Sequence, residues 1–220
     1  MKITKYIHAC LLIENETDKI LFDPGLFSFV EGKVKPSQFT DLSAIILTHN
    51  HPDHIDADSL KEIIENNPNA VVLANSEIKN KLAEKEIVVE AFEIGTRSVG
   101  AFKIEAFDAT HEKILADEIP QNTAYVIDKI FVHPGDSLAE SVVQYTGTKI
   151  LALPTMAPWE TELQTFEFAK KMRPQTIVPI HDGYAKDFFL ESRYQNFQKF
   201  LKRENIEFQW MSKAGDYFEI

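Results

Sequence analysis

The segment Thr48-His49-Asn50-His51-Pro52-Asp53-His54 gathers three of the seven histidines of a 220-residue chain, and one aspartate, into six consecutive residues. Imidazole and carboxylate are standard ligands for zinc and related ions, and a catalytic zinc keeps one position open for water. In an extended stretch, residues two apart project to the same side, so His49 and His51 can grip one ion. Pro52 fixes its own φ and favours a bend. Asp53 and His54 lie beyond that bend and can reach a different position, so one short loop can serve two adjacent ions. The plain alternative is a hydrophilic turn with chance histidines. Against it, three clustered imidazoles repel one another when protonated unless a metal or a pKa shift intervenes.

Three further residues stand at comparable places. His111 closes Asp108-Ala109-Thr110-His111, Asp136 lies in His133-Pro134-Gly135-Asp136-Ser137, and His181 in Pro179-Ile180-His181-Asp182-Gly183. Taken singly, each has an ordinary explanation. His111 reads as a loop residue, His181 as a surface residue before a turn, and Asp136 as the cap of a helix starting near Leu138. Taken together, metal-ligand residues follow four separate β-rich runs, which is what a site at one edge of a sheet sandwich requires. A second rank surrounds them. His8 either faces the site or is a satisfied structural histidine, and His133 reads as an outer neighbour of the ligands. Asp23 and Asp182 either orient imidazoles or close turns beside Gly25 and Gly183. Trp159 and Phe188–Phe189 line a cleft or fill the core, and Cys10, between apolar neighbours, reads as core filler.

The elements that must position these residues are legible from periodicity. Strands are expected at Ile3–Ile7, Leu11–Ile13 and Ile20–Asp23, and Ala44–Thr48 is a continuous apolar run suited to a strand buried on both faces. Helical spacing in Asp58–Asn66, a strand at Val71–Ala74, a Ser76-capped helix Ser76–Glu84 and a strand Ile87–Glu90 follow. The middle predicts two hairpins, Ile94–Ser98 with Val99–Asp108 and Thr123–Asp128 with Ile130–His133. Helices near Leu138–Tyr145, Thr161–Met172 and Arg193–Arg203 alternate with strands Lys149–Leu153 and Thr176–Ile180. Ile206–Gln209 and Asp216–Glu219 are expected to close the chain as a last pair. Two β-rich halves with helices outside imply an α/β layered sandwich. No repeat or linker marks a boundary, so residues 1–220 are expected to form one domain.

Thirty-four acidic residues against 23 basic give a formal charge of -11. Such a chain repels phosphate backbones and offers no basic stripe to track nucleic acid, so a small-molecule substrate is the expected partner. No run approaches the roughly 18 apolar residues that span a membrane, and Ala9–Ile13 is too short for a signal-peptide core. With a single cysteine and no internal disulfide possible, a cytoplasmic protein is expected. Oligomeric state leaves no mark in the composition.

The ordered set His49, His51, Asp53, His54, His111, Asp136 and His181 resembles the His-x-His-x-Asp-His motif and later ligands of the metallo-β-lactamase superfamily. The opening Ile7-His8-Ala9-Cys10-Leu11-Leu12-Ile13, followed by Leu21-Phe22-Asp23-Pro24-Gly25, is similar to a subgroup of small metal-dependent hydrolases. That subgroup includes ascorbate-6-phosphate lactonase-like proteins and relatives of N-acyl-phosphatidylethanolamine phospholipase D. The resemblance implies a four-layer αββα sandwich. It implies one ion held by His49, His51 and His111, a second by Asp53, His54 and His181, and Asp136 bridging them. The ions expected are two divalent metals, foremost Zn2+, with Mn2+ or Fe2+ as alternatives.

By that resemblance the chemistry is a binuclear metallohydrolase reaction. A metal-bridging hydroxide, oriented by Asp53, attacks an ester, lactone or phosphodiester of a small, anionic substrate. Two alternatives share the fold: an iron-dependent oxidoreductase similar to sulfur dioxygenases, and a non-catalytic metal- or ligand-binding protein. Flavodiiron oxidoreductases tend to carry Glu where this chain has His51, and an imidazole there favours zinc. The loops Phe27–Thr40 and Ile114–Gln121 are the expected specificity elements.

Overall fold

The β-rich runs assemble into two sheets of seven strands each, in a computed structural model that describes residues Met1 to Ile220. The first sheet contains β1 (Lys2–Lys5), β2 (Leu11–Glu14), β3 (Lys19–Phe22), β4 (Ala44–Ile46), β5 (Val71–Ala74) and β6 (Glu90–Ala91). The second contains β7 (Gly95–Val99), β8 (Phe102–Asp108), β9 (Thr123–Ile127), β10 (Phe131–His133), β11 (Ile150–Pro154), β12 (Thr176–Ile180) and β13 (Glu207–Phe208). The last strand, β14 (Asp216–Glu219), returns to the first sheet and pairs antiparallel with β1, Lys2 facing Glu219. Helices α1 (Leu26–Phe29), α2 (Ala57–Asn66), α3 (Ser76–Ala83), α4 (Glu140–Val143), α5 (Glu162–Met172) and α6 (Asp187–Leu201) connect them.

Burial explains the layering. Ile3, Leu11, Phe22 and Ile46 of the first sheet meet Phe102, Ile104, Tyr125 and Phe131 of the second in one shared core. Side chains alternate across a strand, so Leu21, Ile45 and Leu47 point the other way and meet Leu60 and Ile63 of α2 and Ile78 and Leu82 of α3. On the far side Val126, Val132 and Leu151 meet Phe168 and Met172 of α5 and Tyr194 and Phe197 of α6. The order is helix, sheet, sheet, helix, the expected αββα sandwich. Each such Leu, Ile or Phe contributes roughly 1.5–3 kcal/mol by burial. Parallel pairing of β3–β6 and of β10–β13 buries the central strands on both faces, and β4, β11 and β12 are buried at every residue.

Several local expectations are corrected. Ile206–Gln209 and Asp216–Glu219 do not pair with each other: β13 joins β12 and β14 joins β1, each covering an otherwise open edge. Helix α3 is capped by Asn75, whose side chain accepts from the Ile78 N–H at 3.0 Å, while the Ser76 hydroxyl goes to Glu93. The strand expected at Ile87–Glu90 is instead Glu90–Ala91, sharing only Glu90, with Ile87 and Val89 buried before it. Helix α6 begins at Asp187 rather than Arg193: its buried stripe of Leu190, Tyr194, Phe197 and Leu201 starts before Arg193, and the exposed Phe188 and Phe189 interrupt that pattern in the sequence. The helix near Leu138 contracts to α4, and no helix is long and apolar enough to cross a membrane.

Candidate metal centre

The chain leaves β4 into a loop held from below by a buried carboxylate. Asp23 accepts the Thr48 N–H at 2.8 Å through Oδ1. Its Oδ2 accepts the Thr48 hydroxyl at 2.7 Å and lies 2.8 Å from His54 Nδ1. The His51 carbonyl accepts the amides of His54 and Ile55, closing the turn that Pro52 favours. Gly25 permits this path: a Cβ there would sit 1.9 Å from the Asp53 carbonyl oxygen, so any side chain would push the ligand loop away. His111 follows β8, Asp136 follows β10 and His181 follows β12, so the strand ends of both sheets converge on one edge.

Two donor groups result. One comprises His49, His51, His111 and Asp136, the other His8, Asp53, His54 and His181, and within each the donor atoms lie within 4.8 Å of one another. Asp136 stands between the groups. Its Oδ2 is 2.9 Å from His181 Nε2, 3.7 Å from His111 Nε2 and 3.8 Å from His49 Nε2, and its Oδ1 is 3.3 Å from His54 Nε2. His54 Nε2, His111 Nε2 and Asp136 Oδ1 are buried without a hydrogen-bond partner. Orphaned buried polar atoms are costly, and here they face one another, as a donor set for cations requires.

The opposite nitrogen of each ring is tied down. His181 Nδ1 lies 3.0 Å from the Met156 carbonyl, His111 Nδ1 2.6 Å from the Glu112 carbonyl, and His54 Nδ1 against Asp23. His49 Nδ1 meets the Thr48 hydroxyl oxygen at 3.1 Å, and that hydroxyl already gives its proton to Asp23. Each Nδ1 therefore carries a proton and turns Nε2 toward the centre, the arrangement of an oriented metal-ligating imidazole. His51 instead turns Nδ1 to within 3.1 Å of His49 Nε2.

Charges are balanced unevenly across the cluster. Burial and the neighbouring His54 push His49 well below the ordinary imidazole range, and burial also lowers His51. Burial acts on His54 and His181 in the same direction, but Asp136 outweighs it and raises both, helped at His54 by Asp23. The carboxyls of Asp53 and Asp136 are both held down by surrounding imidazoles despite burial, so they stay ionised. A divalent cation would displace the protons that the ionised carboxylates draw onto His54 and His181, and the imidazole and carboxylate donors present fit such ions.

His8 joins the second group by proximity, yet its Nδ1 accepts the Gly183 N–H at 3.0 Å. Its proton therefore sits on Nε2, 3.0 Å from Asp53 Oδ2, where it donates to the carboxylate and has no lone pair left for an ion. His133 lies behind the site, stacked on Phe22 at 4.9 Å and accepting the Gly135 N–H at 3.1 Å, and belongs to neither group. Asp182 orients no imidazole. It pairs with buried Lys5 at 2.5 Å and accepts from the Tyr194 hydroxyl. Nor does Asp136 cap a helix, since α4 starts after Ala139.

His51 and Asp53 are partly exposed, and with Asp136 and His181 they line a cavity of about 1100 Å³. Trp159 lines it too, its Nε1 donating to Asp136 Oδ2 at 3.2 Å. Of the two loops expected to shape specificity, the second contributes Ile114 and Leu115, the first only Phe27. The segments around Met156–Trp159 and Tyr184–Phe189 contribute more, and beyond their aromatic residues nothing local marks them.

A profile described as Beta-lactamase superfamily domain matches residues 2–181. The chain belongs to the β-lactamase superfamily. Among superfamily relatives, Protein Rv0786c of Mycobacterium tuberculosis is 33% identical over 192 residues, covering 83% of this chain and 84% of that protein. UPF0173 metal-dependent hydrolase PYRAB05000 of Pyrococcus abyssi is 28% identical over 187 residues, covering 79% and 81% respectively. The metallo-β-lactamase fold protein YhfI of Bacillus subtilis superposes with a TM-score of 0.70 at 17% identity, over 100% of this chain and 98% of that one. The fold of this superfamily member is thus shared with a protein of far different sequence.

Proposed function

We propose that this superfamily member is a binuclear metallohydrolase acting on an ester, lactone or phosphodiester of a small, anionic molecule. His49, His51 and His111 would hold one divalent ion and Asp53, His54 and His181 the other, with Asp136 shared. The observation that carries the reading is the inward convergence of three orphaned buried donor atoms, on His54, His111 and Asp136, among imidazoles whose other nitrogens are already engaged. The hydrolase names of its relatives point the same way. Bound there, two divalent ions would lower the pKa of a shared water and polarise the bond to be broken. The imidazole-rich donor set favours zinc.

The chain's own residues do the rest. Asp53, partly open to the cavity and held by His8, orients the attacking water. Trp159 covers Asp136 and limits solvent at the donors. Two divalent ions against two carboxylates leave the centre cationic within a chain of formal charge -11, which draws an anionic group inward. Metal analysis of purified protein, coupled to a panel of simple esters, lactones and phosphodiesters, tests the reading. His51→Ala and Asp136→Ala should each lose metal and turnover. Unchanged activity in either variant, or bound iron with persulfide oxidation in place of hydrolysis, would overturn it.

A further inference from the structure

The cavity over the donor cluster is larger and more apolar than a small polar ester needs. Its volume of about 1100 Å³ lies at the upper end for small-molecule sites. Leu115, Tyr184, Phe188 and Phe189 all line it and all are exposed, Leu115 completely and Phe188 by 72%. Single exposed apolar side chains need no explanation, but several gathered around one opening mark a binding surface. They come from separate segments, Leu115 from the loop after His111 and the two phenylalanines from the first turn of α6.

The charge of the lining runs against that of the chain. Lys113, Lys186 and Arg193 line the cavity, and its only carboxylates are Asp53 and Asp136 in the donor cluster. Arg193 is partly engaged, 3.5 Å from Glu162 and 5.5 Å above the Phe189 ring. Lys113 and Lys186 are exposed and make no ion pair, so they stand free at the mouth while the donors lie at the buried end. In a protein with 34 acidic residues and 23 basic ones, this is a local reversal of sign at the opening.

We infer that the substrate is an anionic amphiphile. Its scissile bond lies at the donor cluster, its apolar body against Leu115, Phe188 and Phe189, and a carboxylate, sulfate or phosphate group meets Lys113 and Lys186. The inference rests on the hydrolase reading of the same site. For an ester, the water oxygen bonds to the acyl carbon as the C–O bond breaks; the departing oxygen takes one water proton and the other goes to solvent.

Binding and turnover separate the two ideas. Trp210→Phe leaves Trp159 as the one tryptophan, a reporter inside the cavity. Zinc-loaded protein carrying this change is titrated with hexyl, octyl and decyl sulfonate and with the matching alcohols, all below their critical micelle concentrations. Affinity should rise about two- to fourfold per methylene added, and the sulfonates should bind at least fivefold tighter than the alcohols. Lys113→Gln combined with Lys186→Gln should cut the sulfonate preference about threefold or more, the remainder coming from the loaded centre, and keep the chain-length trend. A flat chain-length series overturns the inference, as does a sulfonate preference unchanged by the double substitution. A dimer in solution that hides Leu115 and Phe188 from the probes overturns it too, since the face is then an interface between copies. Turnover of short neutral esters without either dependence sinks the amphiphile and leaves the hydrolase. Binding as expected without turnover of any ester does the reverse.

Discussion

His8 Nε2 lies 3.0 Å from Asp53 Oδ2, while its Nδ1 accepts the Gly183 N–H at 3.0 Å. The backbone of His8 is left-handed, φ 64°, and its carbonyl accepts the His181 N–H at 3.3 Å, so one buried residue ties together the segments carrying two proposed ligands. Asparagine tolerates that backbone but is too short to span both partners. His8→Asn is therefore expected to weaken the second ion about 10–100-fold, as loss of a ligand-orienting partner does, and to spare the first. Metal content after dialysis against graded chelator reads this directly. Parallel loss of both ions, or of neither, removes the positioning role.

Gly183→Ala attacks the same contact from the other side. A Cβ there would lie 2.8 Å from both His8 Cβ and Ile7 Cγ2 and 3.3 Å from His8 Cα. Little can yield, since His8 is fully buried. Overpacking of this kind costs about 1–3 kcal/mol, and the displaced imidazole should reproduce the chelator profile of His8→Asn. A variant that unfolds earlier in urea yet keeps both ions at wild-type affinity would separate packing at Gly183 from the hold on Asp53.

The proposed donors were legible because their residue types are uncommon, their spacing around Pro52 is local, and each follows an apolar run that reads as a strand. The layer order was legible for a related reason, since buried strands and helical stripes repeat over short windows. Asp182 was not, because its partner Lys5 is 177 positions away and no local pattern announces the pair. The tautomer of His8 depends in the same way on an amide far along the chain. The start of α6 was hidden by Phe188 and Phe189, whose exposure breaks the helical stripe and serves the cavity instead. Where local pattern and tertiary use conflict, as at that turn, function is the competing demand.

Lys5 and Asp182 are 3% and 4% exposed and 2.5 Å apart, with the Tyr194 hydroxyl bonded to the same carboxylate. Burial lowers the Lys5 pKa against the pull of Asp182. Removing one partner strands the other charge inside the protein, so Lys5→Met should cost about 3–5 kcal/mol. Adding Asp182→Leu should recover most of that loss, because Tyr194 still has the Met211 carbonyl at 3.2 Å and an apolar pair has no desolvation penalty. Urea midpoints of the wild type, the single and the double variant decide it; a double variant no better than the single one contradicts the account.

Glu160, which feels the charges of His181 and Asp136 without being a proposed ligand, supplies a pH test. Its Oε2 accepts the Thr165 hydroxyl, its Oε1 is buried without a partner, and burial pushes its pKa up from 4.5 to about 8. The unfolded chain ionises near 4.5 and the folded one near 8, so between these values the folded state holds the extra proton. Stability from this group is then full below the lower value, falls as pH rises through the interval, and levels above it. Glu160→Gln cannot ionise and lacks the slope. In protein stripped of metal by chelator, so that ions near His181 do not alter the titration, the variant should gain on the wild type between pH 5 and pH 8.5. The gain should be on the order of 3 kcal/mol, below the full value of the shift because the side chain is not wholly enclosed. A constant offset from the loss of one oxygen would move both ends equally, so the growth of the difference with pH reports Glu160 together with its charge coupling to His181. If urea unfolding at the two pH values gives the same difference, the carboxyl is not held protonated by its surroundings.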